Sequence, residues 1–166
     1  FDLQSGGQRK LASIPNPDRL PMRLNDGRVG PDGAFWVGSM HNVPLAEMGA
    51  FGALWRVTQA GVELIESGLS CPNGLAFSMD GSVMWHSDSA QKWVRRRPFD
   101  PIPGRPGDGP VICRPTEESG RPDGGCADSD GTYWSAGVSA GVINGYDENG
   151  GTAHRIAMPV PKPTMC

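Results

Sequence analysis

A unit of two short strands around an Asp-Gly turn occurs three times in this sequence and predicts an all-β chain built from propeller blades. Three observations carry that expectation. The turn aspartates Asp32, Asp80 and Asp130 stand 48 and 50 residues apart. A tryptophan follows each turn, at Trp36, Trp85 and Trp134. An Asn or Asp precedes each turn aspartate by seven residues, at Asn25, Asn73 and Asp123. A repeat of this length, with paired strands and one Trp per copy, is the signature of blades arranged around an axis. Equivalent positions in successive blades then point to one place. The side-chain oxygens of Asn25, Asn73 and Asp123 should therefore converge, and that convergence is the functional signal.

The middle copy is the clearest. Cys71-Pro72-Asn73-Gly74 is a turn signal, because Pro fixes φ while Asn and Gly tolerate positive φ. Residues 75–77 are a short apolar run. Met79-Asp80-Gly81 suits a type I′ hairpin turn. Residues 83–85 make a second strand that ends at Ser87-Asp88. By the same reasoning Asp32, Asp80 and Asp130 are turn formers of an outer hairpin, and the tryptophans pack between blades.

Taken in order, residues 1–11 read as strand end, turn (2–7) and strand, the outermost hairpin of a preceding blade. Residues 12–22 carry Pro15, Asn16, Pro17 and Pro21 and cross between blades on the surface. Residues 23–40 are the first full copy. Residues 41–49 form a loop, with one turn of helix over 44–48. Residues 50–57 and 62–65 form an outer hairpin turned at 59–61. Residues 68–88 are the second copy, 93–99 its third strand, 100–109 a Pro- and Gly-rich loop, and 111–113 the returning strand. Residues 121–137 are the third copy. Residues 142–146 pair with 154–158 around a turn at 148–150, and 159–164 begin the next crossover. A propeller closes with roughly four to eight blades, and 166 residues at this period make about three and a half. The expectation is a single propeller domain over 1–166 that is incomplete, with N-terminal and C-terminal blades missing.

Composition narrows the function. With 24 Gly and 16 Pro the chain is turn-rich, while five Trp and five Phe supply core. A net charge of −3 and a single basic run, Arg95-Arg96-Arg97, speak against a nucleic-acid surface. No apolar run approaches the roughly 18 residues of a membrane span. The four cysteines, Cys71, Cys113, Cys126 and Cys166, show no CxxC spacing, which argues against a zinc site. Cys71 and Cys126 read as buried thiols. Free thiols favour a reducing, cytoplasmic compartment, with the periplasm as the alternative.

Asn73 and Asp123 are the leading pair. A hard divalent cation takes oxygen donors, about six to eight for calcium. These two side chains supply two, so at least one further carboxylate must come from outside this sequence. The alternative is that both only form Asx-type turns before their strands. Arg23 lies two residues before Asn25 on the same face of an extended segment. Together they suit a polyhydroxy or carboxylate-bearing ligand, because Arg offers a fork of donors and Asn both donor and acceptor. A blade-to-blade ion pair is the competing role for Arg23. Asp26 completes the Asn25-Asp26-Gly27 turn, and Asp88 caps a strand or supports the site from behind. His41, His86 and His154 share no spacing, so no Ser-His-Asp triad can be assembled. His41 is close enough in sequence to the first copy to reach the channel mouth from its loop.

These residues together resemble a known family. RLNDG at 23–27, PDGAFWVGSM at 31–40, NGLAFSMDG at 73–81, SDS at 87–89, PDGGCADSDGTYW at 122–134 and the P-K-P-T-x-C ending at Cys166 look like the regucalcin/gluconolactonase family, in its order and with similar spacing. The resemblance implies a six-bladed β-propeller with one divalent cation in the central channel and hydrolysis of a small sugar lactone. Calcium is the first choice of cation, with zinc, manganese or iron as alternatives. It implies that Asn73 and Asp123 are metal ligands and that Arg23 and Asn25 contact substrate. Asp123 is also the candidate general base, since no His is placed for that task. The family's remaining metal ligand, a Glu near the start of the first blade, has no counterpart here. The loop at 41–47, including His41-Asn42-Val43 and Glu47, stands where a further substrate contact often arises, without a clear equivalent. His86 stands where an apolar or aromatic residue is more usual. Two other functions fit the same frame: a phosphotriesterase-like hydrolase on the same metal site, and a non-catalytic calcium-binding propeller.

Overall fold

The computed structural model describes residues 3–16 and 18–166. The expected strand end at Phe1, the start of its turn at Asp2, and Pro17 of the crossover lie outside the described residues. The described residues form three antiparallel sheets in succession. The first runs β1(Met22–Val29), β2(Phe35–His41), β3(Gly52–Thr58) and β4(Gly61–Leu69) from one edge to the other. The second runs β5(Pro72–Phe77), β6(Val83–Asp88) and β7(Trp93–Asp100). Two short strands, β8(Arg105–Pro106) and β9(Val111–Cys113), share the far edge of β7. The third runs β10(Pro122–Ala127), β11(Tyr133–Gly137), β12(Val142–Tyr146) and β13(Thr152–Ala157). Each sheet is one blade, and the all-β propeller architecture expected from the repeat is what the chain adopts. Residues 45–47 form the expected single helical turn.

Local chemistry explains the hairpins. Gly33, Gly81 and Gly131 take φ of 75°, 72° and 86°, the left-handed region in which a side chain is strained. These turns join the first strand of each blade to the second. Asp32, Asp80 and Asp130 therefore belong to the inner hairpins, not the outer ones. The correction follows from strand order, because each blade is built from its first strand outward. The turn of the second blade is one residue longer. Its closing bond runs from Ser78 N to Val83 O, against Gly30 N to Ala34 O and Asp128 N to Thr132 O. The extra residue keeps the tryptophans equivalent, since Trp36, Trp85 and Trp134 pair with Arg28, Ala76 and Cys126.

Register confirms the repeat position. Val29, Phe77 and Ala127 face Phe35, Met84 and Tyr133, which puts Asn25, Asn73 and Asp123 each four residues before the same point. All three first strands also bulge there: register shifts between Leu24 and Gly27, between Asn73 and Ala76, and between Pro122 and Gly125. A bulge re-aims the side chains beside it, which is why bulges collect near sites.

Apolar packing fixes the blades against one another. Trp36, Leu54, Leu75, Met84, Trp93 and Phe99 fill the space between the first and second blades. There Trp36 meets Phe99 edge-on at 5.4 Å and Phe77 meets Phe99 at 5.0 Å. Ala76, Trp85 and Val94 meet Tyr133 and Tyr146 between the second and third, with Trp85 stacked on Tyr133 at 5.9 Å. Trp134 is half-buried on the other face of the third blade, stacked on His154. Val29, Phe35 and Leu64 stay exposed on the first blade. Two expectations need adjustment. Residues 8–11, expected as a strand, form none, and no strand among the described residues pairs with them. The fourth strand of the first blade runs on to Leu69 instead of stopping at 65, paired with β3 along its length.

Candidate active site

The three first strands meet at the centre of the arc, with β5 between β1 and β10. Asn25 Nδ2 donates to Pro72 O at 3.0 Å, and Leu75 N donates to Asp26 Oδ2 at 2.8 Å. Ser89 Oγ donates to Pro122 O, tying the end of the second blade to β10. Arg28 reaches past the second blade to donate to Gly125 O at 3.0 Å, linking β1 directly to β10. Side chains thus donate to the carbonyls of Pro72, Pro122 and Gly125, and the Leu75 N–H inside the β5 bulge finds its acceptor in Asp26.

Asn73 and Asp123 come together as the repeat demands. Asn73 is 8% exposed and donates from Nδ2 to Ser89 Oγ at 3.0 Å, close enough to the Asp123 carboxylate to favour its charged form. The residue after Asn73 must be Gly: Gly74 has φ 58°, and a Cβ there would run into Tyr133 Oη and the Asp123 carbonyl. Burial pushes the Asp123 carboxyl above its usual range. The nearby Asp26 carboxylate pushes in the same direction, while bonds from Asn73 and Gly124 N–H and the charge of Arg121 oppose it. The donors gathered here are hard oxygens, and the negative charge of Asp26 adds to that of Asp123. That set suits a hard divalent cation, which would relieve the repulsion between them. No group of three or more His, Cys, Asp or Glu side chains able to hold a metal is found among the described residues.

Arg23 and Asn25 lie beside this pair. Arg23 is exposed, and its Nη1 donates to Asn25 Oδ1 at 2.8 Å and to Leu24 O at 3.0 Å. The described residues give its guanidinium these acceptors in place of a blade-to-blade carboxylate. A cleft of about 340 Å³ opens beside Arg23, with Ile14, Leu20, Met22, Ser39 and Phe51 in its walls. Asn73 and Asp123 are not part of those walls.

Other candidates have structural work. Asp88 is fully buried and accepts from the main-chain N–H of Ser70, Cys71, Ala90 and Gln91, so it shapes the turn ahead of Asn73. Cys71 packs its sulfur 3.9 Å from Met40 Sδ, and burial raises its thiol pKa, with Asp88 and Asp123 adding to the rise. Asp32 bonds Trp36 Nε1 at 3.0 Å and Arg56 Nε at 2.6 Å, beyond its turn role. His41 sits edge-on to Phe51 at 5.4 Å with its buried Nδ1 unpartnered. His86 is wholly buried between blades, away from any nucleophile-base arrangement. Glu47 is exposed on its short helical turn.

Sequence reasoning passed over three residues. Asp26, read as a turn former, holds the β5 bulge and adds its charge to that of Asp123. Arg28 ties the first strand to the third. Ser89 bonds both Asn73 and Pro122. The signal for Asp26 and Ser89 was present, since both lie in the motifs given above; Arg28, one residue past the first of them, carries no local signal.

Comparison with known proteins bears on this geometry. A family model described as SMP-30/Gluconolactonase/LRE-like region matches residues 1–166. The chain is 37% identical over 166 residues to a 6-deoxy-6-sulfogluconolactonase of Pseudomonas putida, covering 98% of this chain and 56% of that protein. It is 32% identical over 173 residues to an L-arabinolactonase of Azospirillum brasilense, covering 99% of this chain and 54% of that one. Among solved structures, a calcium-binding protein, regucalcin, from Agrobacterium tumefaciens superposes with a TM-score of 0.79 at 33% identity, over 89% of this chain and 50% of that chain. The chain therefore spans about half the length of the relatives it matches.

Proposed function

The chain belongs to the SMP-30/gluconolactonase/LRE-like family, and from that premise we propose that it carries most of the active site of a metal-dependent sugar lactonase. The observation that carries the reading is the Ser89 hydroxyl, which accepts from Asn73 Nδ2 and donates to Pro122 O beside Asp123. It draws equivalent positions of neighbouring blades together, within one strand of Arg23 and Asn25. The lactonase names of the relatives support the substrate class. The half-length match, together with the exposed apolar Val29, Phe35 and Leu64 on the first blade, supports a larger ring, for which six blades is our proposal.

The amide oxygen of Asn73 and the Asp123 carboxylate would hold the divalent cation, with a further carboxylate from outside this chain. When bound, such an ion polarises a carbonyl and makes an adjacent water more acidic; calcium is our first choice, with zinc, manganese or iron as alternatives. Arg23 and Asn25 grip the sugar hydroxyls, and the bond between them fixes the guanidinium plane before substrate arrives. Asp123 takes a proton from the attacking water. Water oxygen bonds to the lactone carbonyl carbon, the ring C–O bond breaks, and the ring oxygen leaves as a hydroxyl carrying the proton. The product is the open-chain acid. Four free thiols support a cytoplasmic setting, and no helix among the described residues is long and apolar enough to cross a membrane.

One other reading has an observation behind it. The regucalcin relative is described as calcium-binding, so ion binding without turnover is the alternative. A panel of aldonolactones, assayed on the complete protein with and without chelator, separates the two. Hydrolysis abolished by chelator and restored by added cation supports the lactonase. Cation binding without hydrolysis of any member supports the alternative.

A further inference from the structure

Cys126 lies on β10, three residues beyond Asp123. Cys166 lies in the segment that follows β13 and returns alongside β10. Two contacts seat that segment: Gly124 N donates to Thr164 O at 3.0 Å, and Cys166 Sγ lies 3.3 Å from Trp134 O. The two sulfurs are 3.5 Å apart, in nonbonded contact. Although Cys166 as a residue is exposed, its sulfur turns inward to this contact. The other two cysteines are placed differently. Cys71 is buried against Met40, and Cys113 sits beside Tyr146.

We propose that Cys126 and Cys166 form a redox site, a dithiol that a low-molecular-weight disulfide oxidises to an intrachain disulfide. The bond would clamp the 164–166 segment onto the strand that carries Asp123. Closing from contact to a bond moves the sulfurs together by about 1.5 Å, a change that side-chain rotation supplies. The chemistry is thiol–disulfide exchange with glutathione disulfide as co-reactant. One cysteine thiolate attacks the glutathione disulfide and expels one glutathione thiolate. The second cysteine attacks the mixed disulfide and expels the other. Two cysteines lose two electrons and two protons, and two glutathione thiols gain them. Burial and the adjacent Cys126 push the Cys166 thiol up to about 12, so the exchange quickens as pH rises. In a reducing compartment the pair stays open until the thiol pool is oxidised.

The test uses the complete protein, oxidised glutathione, and thiol alkylation followed by peptide mass spectrometry. The expected product is a Cys126–Cys166 peptide pair, lighter by two hydrogens than the reduced peptides and separated by reductant. Cys126→Ser and Cys166→Ser should each stop at a mixed disulfide of the remaining cysteine with glutathione, which persists because no second thiol resolves it, whereas in the wild-type pair that adduct is transient. Amide exchange over residues 122–127 should slow in the oxidised wild type. Recovery of both cysteines alkylated or separately glutathionylated, or a bond that forms only in denaturant, would overturn the site. Unchanged exchange in the bonded protein would overturn the clamp.

Discussion

Acidification should weaken this fold through one side chain, His86. It sits on β6 between the first and second blades, wholly buried, with neither ring nitrogen hydrogen-bonded. Its ring packs edge-on to Trp93 at 5.1 Å. The Glu66 carboxylate lies 3.8 Å from Nε2, which alone would favour a charged imidazole. That carboxylate is already gripped by Arg95 at 2.6 Å and Arg97 at 2.7 Å, so the histidine faces net positive charge. Burial, then Arg95 and Arg97, lower its pKa from 6.5 to about 3. In the unfolded chain the same imidazole takes a proton below about pH 6.5. The folded chain refuses it until pH nears 3. Stability from the neutral histidine is therefore intact above about pH 6.5 and is lost as pH falls toward 3, at about 1.4 kcal/mol per unit. Between about pH 6.5 and pH 5 the loss is about 2 kcal/mol by that slope. His86→Leu has no proton to take and similar volume, so its stability should fall less over the same range. Urea unfolding of wild type and variant at about pH 7 and pH 5 measures the difference. Curves that shift in parallel, with no gap opening near 2 kcal/mol, would refute the reasoning.

Two further outcomes follow from the site and its support. Arg23→Ala should raise KM for a lactone by about tenfold or more while leaving cation affinity unchanged by calorimetry, because Arg can fork onto substrate oxygens but does not ligate a cation; loss of bound cation would contradict the assignment. Asp88→Ala strips the acceptor from four main-chain N–H groups and should cost about 3 kcal/mol or more in unfolding free energy; a cost under about 1 kcal/mol would mean that water replaces the carboxylate there.

The repeat made much of this legible before any coordinates. A seven-residue offset between Asn25, Asn73 or Asp123 and the turn aspartate survives in the structure because strand register and bulge recur in each blade. The glycine after each turn aspartate likewise reported a real backbone need. The hairpin was misplaced as outer because strand order around an axis leaves no mark in a local motif. Asp26 looked like a turn former because its acceptor role is to Leu75, 49 residues away on the next blade. Arg28 to Gly125 spans 97 residues, and no local pattern announces such a bond. The reading of residues 1–11 as a hairpin followed turn chemistry alone, and a strand also needs a neighbour. The longer turn at 78–83 explains why the steps of 48 and 50 are unequal without moving the tryptophans out of register.

The central claim is that Asn73 and Asp123 hold one cation and that Asp123 also moves a proton. The most direct measurement is cation affinity by calorimetry beside lactone turnover, in the complete protein, for Asn73→Ala and Asp123→Asn. Asn73→Ala should weaken the cation by about tenfold or more and recover part of its turnover when the ion is raised, since a neutral carbonyl donor is lost. Asp123→Asn should turn over lactone at least about 100-fold more slowly even at saturating cation, since both a charge and the base are lost. Wild-type turnover in Asp123→Asn at saturating cation would contradict the base role, and unchanged affinity in both variants would return the two residues to simple turn formers.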